Sequence, residues 1–280
     1  MRRTRWAAQL GGALDGWCGV HQRGVPGQPT VLALHGFTGT SLDWYAVRQR
    51  LPTGWGWVAP DLPGHGRTPW AALGTPSLDG LADALADALA VLPQPRILLG
   101  YSLGGRVALT LATRHPNALD ALATLGASAG LDEPAAARER AAADDALAAD
   151  LERDGVPGFL RRWNAGPLFD GQRGVSPGLR ARIHAHRRVA DPHGLAAALR
   201  ALSTGRMPPL HDVLGRVEAP AVFMAGARDF KFTALAADLA RATPQGHAWV
   251  VPDALHAAHL EQPGAVADAL ITLAGRLRSG

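Results

Sequence analysis

A chain of 280 residues that is 47% hydrophobic and 19% charged can bury one large α/β domain with an insertion, and the absence of any repeat or low-complexity tract excludes a fibrous or disordered protein. The formal charge of +4 comes from scattered arginines, with Lys231 the single lysine and no dense basic run, so an extended nucleic-acid surface is excluded. Cys18 is the sole cysteine, which rules out an intrachain disulfide and a cysteine-built metal site, and no stretch reaches membrane-spanning length.

Residues 5–22 read as a hairpin turning near Gly11-Gly12. The basic start Met1 to Trp6 is followed by too short and broken an apolar stretch for a secretory leader, so a cytoplasmic enzyme is expected. The apolar run Thr30 to Leu34 predicts the first buried strand, ending in the small-residue loop His35-Gly36-Phe37-Thr38-Gly39. Thr40 with Asp43 three residues later reads as a capping box opening a helix. Trp55 to Ala59 predicts a second strand. It runs into Asp61-Leu62-Pro63-Gly64-His65-Gly66, where His65 reads as a structural loop histidine. Leucines at 78, 81, 85, 89 and 92 predict a helix, followed by a strand at Arg96 to Leu99. A helix beyond Gly104 should stop near Pro116, with a further strand over Leu119 to Leu125.

This alternation predicts a mostly parallel sheet covered by helices on both faces. It breaks between 131 and 214, where the sequence reads as helices only: one near 134–153, and one over Arg180 to Leu202 interrupted by Pro192. An all-helical insertion at such a place is expected to act as a lid, dividing the chain into a core of 1–130 and 215–280 and a lid of 131–214. Strands resume at Ala221 to Gly226 and Ala248 to Val251, and Ala265 to Leu277 closes the chain as an amphipathic helix.

The chemistry centres on Gly100-Tyr101-Ser102-Leu103-Gly104, a Gly-x-Ser-x-Gly stretch between a predicted strand and a predicted helix. At such a corner the serine hydroxyl is exposed, and glycines flank it because the tight turn leaves no room for a Cβ. A serine needs an imidazole to take its proton and a third group to orient that imidazole. Asp229 and His256 follow the last two predicted strands, giving the order Ser, Asp, His at three strand ends. His256 is preferred over His259 by its distance from the strand end, which leaves His259 to support the site or face substrate. Asp253 reads as a turn residue and Asp238 as a solvated helix position. The backbone N–H groups of Phe37 and Leu103 are expected to form an oxyanion hole.

These motifs resemble the α/β-hydrolase fold across essentially the whole chain. More narrowly, Asp43-Trp44, Tyr101-Ser-Leu-Gly-Gly-Arg106, Asp229-Phe-Lys-Phe232 and His256-Ala-Ala-His-Leu-Glu-Gln-Pro263 are similar to the 2-succinyl-6-hydroxy-2,4-cyclohexadiene-1-carboxylate (SHCHC) synthase family of menaquinone biosynthesis, MenH. The resemblance implies a lyase that eliminates pyruvate from SEPHCHC, with Ser102 as general base and no acyl-enzyme. It further implies that Tyr101, Arg106, Arg140, Trp163 and Arg187 contact a small carboxylate-bearing substrate. Arginine suits that task because its planar fork binds carboxylates in bidentate fashion. Leu255 replaces the glycine usual before the histidine, and Ala141 stands where a second lid arginine is expected.

The expectation is therefore a cofactor-free and metal-free SHCHC synthase, a monomer or small homo-oligomer with neither nucleic-acid nor membrane partners. The alternatives are a carboxylesterase or C–C bond hydrolase with Ser102 as covalent nucleophile, and, from another class, a non-catalytic binding protein on the same fold.

Overall fold

The structure, a computed structural model, describes residues 14–72, 77–166 and 175–277. Seven strands form one sheet: β1 (Gly19–Gln22), β2 (Thr30–Leu34), β3 (Gly56–Pro60), β4 (Arg96–Tyr101), β5 (Ala121–Leu125), β6 (Ala221–Gly226) and β7 (Gly246–Val251), in the spatial order β1-β3-β2-β4-β5-β6-β7. Only β1 runs antiparallel, pairing Gly19 with Pro60, and all other neighbours are parallel. Strands β2 to β6 are buried almost throughout, as the continuous apolar runs require of a sheet covered on both faces.

One face carries α2 (Leu78–Ala90), α3 (Leu103–Arg114) and α7 (Phe230–Ala242), whose leucines meet Leu32, Leu98 and Phe223 of the sheet. The other carries α1 (Tyr45–Arg48), α8 (Ala258–Glu261) and α9 (Pro263–Arg276), packed on Val31, Ile97 and Val222. Ser77 accepts a hydrogen bond from the Gly80 N–H at 3.0 Å and so caps α2.

Between β5 and β6 the chain leaves the sheet through α4 (Pro134–Trp163), α5 (Pro177–Arg187) and α6 (Pro192–Ala201). The helix expected near 134–153 continues to Trp163 across a break at Gly155, whose φ of 66° leaves the helical region. The helix expected over 180–202 divides: α5 ends at Arg187, and Pro192 starts α6, because its ring suits the first turn and cannot continue a preceding helix. These helices have an apolar cluster of their own, with Leu151, Phe159, Leu160, Leu195 and Leu199 at its centre and Phe37 of the core packed against it.

Residues 5–13 of the expected hairpin lie outside the described residues; the strand that follows, β1, pairs with β3. One sequence expectation needs amendment. The capping box at Thr40 does not form: the Thr40 side chain caps nothing, and the Asp43 carboxylate turns instead to Arg187. Among the described residues, no helix is long and apolar enough to cross a membrane.

Candidate active site

The Gly-x-Ser-x-Gly corner joins β4 to α3. Ser102 holds φ 51° and ψ −109°, a left-handed conformation rare for a residue with a side chain, and the Leu125 carbonyl of β5 accepts its N–H at 2.8 Å. The glycines are dictated by close approach. A Cβ on Gly100 would lie 2.2 Å from the Gly104 carbonyl oxygen, and one on Gly104 would lie 2.4 Å from that of Leu34.

His256 donates from Nδ1 to Asp229 Oδ2 at 2.7 Å, and its Nε2 lies 3.3 Å from Ser102 Oγ, positioned to accept the hydroxyl proton. Asp229 and His256 are each about 6% exposed, so little water competes for these bonds. Phe232 packs on the imidazole at 4.5 Å between ring centroids and Tyr101 at 5.4 Å. Asp253, the rival carboxylate, occupies a left-handed turn at φ 55°.

The loop carrying His256 is pinned from its far side. Glu261 Oε2 accepts the Leu255 N–H at 2.7 Å, and burial pushes this carboxyl above its ordinary range while the Leu255 and Ala257 N–H groups pull it back. Sequence reasoning passed over Glu261; its only signal was a carboxylate five residues beyond the histidine.

Phe37 lies in a turn closed by the Gly39 N–H donating to the Gly36 carbonyl at 2.9 Å, and Leu103 is the first residue of α3, where N–H groups have no intrahelical acceptor. The two segments are tied together by the Gly104 N–H, which donates to the His35 carbonyl at 3.1 Å. His35 accepts the Leu62 N–H at Nε2, so its proton sits on Nδ1 and is donated to the Gly36 carbonyl at 2.8 Å. His65 donates from Nδ1 to the Pro63 carbonyl and packs on His35 and Phe37, with burial pushing it down to about 3. It is a structural histidine beneath the Phe37 loop.

The expected substrate contacts divide. Trp163 comes to 5.5 Å from the Phe37 ring, so the inserted helices meet the candidate oxyanion loop. Tyr101 is buried beside His256, and its phenol is pushed up by that burial. Arg106 donates from Nη1 to the Leu202 carbonyl at 2.6 Å, and burial, with Arg140 nearby, pushes it down to about 10. Arg140 itself donates from Nε to both carboxylate oxygens of Asp144 at 3.0 Å, and Asp144 also accepts from Ser203 Oγ at 2.6 Å. Arg187 of α5 donates from Nη2 to Asp43 Oδ2 at 2.6 Å in a pair that is almost fully buried. Asp43 is thus a second residue whose part the sequence did not reveal. A cleft of about 510 Å³ lined by Gly64, Arg67, Trp70, Val189 and Gly194 contains none of the candidate catalytic residues.

Comparison with known proteins matches residues 29–263 to the family described as alpha/beta hydrolase fold. The 2-succinyl-6-hydroxy-2,4-cyclohexadiene-1-carboxylate synthase of Enterobacter sp. (strain 638) is 34% identical over 253 residues, covering 90% of this chain and 94% of that protein. MenH from S. aureus has a similar structure, with a TM-score of 0.86 and 28% identity over 92% of this chain and 98% of that one. A malate-bound thermophilic esterase from Thermogutta terrifontis follows at a TM-score of 0.73 and 26% identity, covering 92% and 93%.

Proposed function

Since the chain belongs to the α/β-hydrolase fold and within it to the MenH family, we propose that its site eliminates pyruvate from SEPHCHC to give SHCHC. The observation that carries the reading is the relay Ser102–His256–Asp229, with Ser102 in the strained elbow conformation and His256 within reach of its hydroxyl, in a chain similar to SHCHC synthases over nine-tenths of its length.

In this reading Ser102 Oγ takes a ring proton from the substrate while its own proton passes to His256 Nε2. The Nδ1 bond to Asp229 stabilises the imidazolium that results. Electrons from the broken C–H bond flow into a dienolate, whose oxygen meets the N–H groups of Phe37 and Leu103. The C–O bond to the enolpyruvyl group then breaks, and the leaving group collects a proton to become pyruvate. Residues 131–214 act as the lid, with Trp163 against Phe37 forming its inner wall.

Arg106, Arg140 and Arg187 are assigned to the substrate's carboxylates. Each already holds a protein acceptor, so binding exchanges or extends these bonds: Arg106 from the Leu202 carbonyl, Arg140 from Asp144, and Arg187 through its buried Nε. The malate in the esterase's description fits a second reading, a carboxylesterase for small acids, with Ser102 acylated by the same relay.

The test follows pyruvate release from SEPHCHC made in place, beside hydrolysis of p-nitrophenyl esters. We expect pyruvate at a kcat/KM of about 10⁴ M⁻¹s⁻¹ or more, and loss of at least about 10³-fold in Ser102→Ala. Ester cleavage without pyruvate would establish the esterase instead.

A further inference from the structure

His259 is fully buried three residues beyond His256, and the relay makes no use of it. Its ring lies between two aromatic rings, 4.8 Å from Trp44 and 4.2 Å from Tyr101, and Tyr101 is in turn packed on His256. Neither ring nitrogen has a hydrogen-bond partner among the described residues. Such groups are rare in protein interiors, because each sealed polar atom forfeits the hydrogen bonds it makes with water. A phenylalanine would fill the same slot without that loss, so packing alone does not account for a histidine here.

The groups facing the ring suggest what the nitrogens do. His35 approaches from the end of β2, Trp44 from the turn before α1, Tyr101 from β4, Arg187 from α5 with its partner Asp43 beside Trp44, and His256 from the loop that leads into α8. Burial, and after it the nearby Arg187, push His259 well below the ordinary histidine range, which favours the neutral imidazole and its dipole. With neither nitrogen committed to a partner, the field around it selects the tautomer. The groups able to exert that field as cations are Arg187 and, once it has taken the serine proton, His256. A tautomer whose lone pair faces a cation is the more stable one.

We propose that His259 is a positioning residue for the relay: a neutral imidazole dipole, braced between Trp44 and Tyr101, that stabilises His256 in its protonated form during turnover. The inference rests on the relay reading of the site, and it applies equally to the lyase and to the esterase, since His256 takes the serine proton in both.

His259→Phe preserves the ring and removes the dipole. We expect kcat to fall at least about tenfold with KM changed less than about threefold, and the acidic limb of the pH–rate profile to move to lower pH because His256 is harder to protonate. The same variant should melt about 2–4 °C higher, since two sealed polar atoms are gone. His259→Gln, which keeps a donor and an acceptor, should recover part of kcat. The assays use pyruvate release, or the best p-nitrophenyl ester if the wild type releases no pyruvate, so a failure of the lyase reading is seen in the wild type and not confused with a failure here. Wild-type kcat and pH profile in His259→Phe would overturn the proposal, as would a lowered melting temperature with equal loss of activity in both variants, the mark of a packing residue.

Discussion

Ser102 keeps a backbone conformation worth roughly 1–3 kcal/mol of strain, and the sheet holds it there through the bond from its N–H to Leu125 and the glycine contacts on either side. The same economy of space governs the imidazole. Gly126 follows β5 at φ 59°, and a Cβ there would come within 2.9 Å of His256 Cε1. Gly126→Ala should therefore displace the ring and lower kcat about 10²-fold, with KM within a few-fold of wild type, in steady-state assays. Near-normal kcat would mean that the ring tolerates the shift. Ser102, Asp229 and His256 were readable because their order after the ends of β4, β6 and β7 is a pattern in one dimension. Gly126, Glu261 and Asp43 were not, since each acts through an approach between segments distant in sequence or through a loop whose path the sequence leaves open.

At the level of elements, α5 is fastened to the core by the buried Asp43–Arg187 pair and by Arg182 lying over the Tyr45 ring at 4.9 Å. Removing one partner of a buried pair strands the other charge, so Asp43→Ala should lose about 3–5 kcal/mol in chemical denaturation. The double variant Asp43→Leu/Arg187→Met should recover most of that loss, and equal instability of single and double variants would show that the charges do not interact strongly. Local pattern misled at this point. Thr40 and Asp43 have the spacing of a capping box, worth about 1 kcal/mol, but a cation 144 residues away competes for the same carboxylate in a low-dielectric setting and wins. The strand and helix alternation, and the division at Pro192, were legible because hydrophobic period and proline geometry act within a few residues.

For the whole molecule, His35, His65 and His259 set the acid limit of stability. All three are buried and held below the ordinary value of 6.5, His65 down to about 3. The unfolded chain then binds more protons than the folded one as pH falls, so their contribution is full above about pH 6.5 and is lost progressively below it, for His65 down to about pH 3. Melting temperatures recorded from pH 8 to pH 4 should be flat at the alkaline end and fall below pH 6.5, whereas a flat curve down to pH 5 would contradict the assignment of neutral imidazoles. The pairing of Thr124 with Phe223 has a consequence for biogenesis. These adjacent strands flank the whole excursion through α4, α5 and α6, so the contact is strongly non-local and carries the entropy of closing a very long loop. Ser102 leaves the ribosome well before Asp229 and His256. A nascent chain thus carries its elbow with no base beside it, and chemistry switches on only when the last strands dock, making activity a late reporter of completed folding.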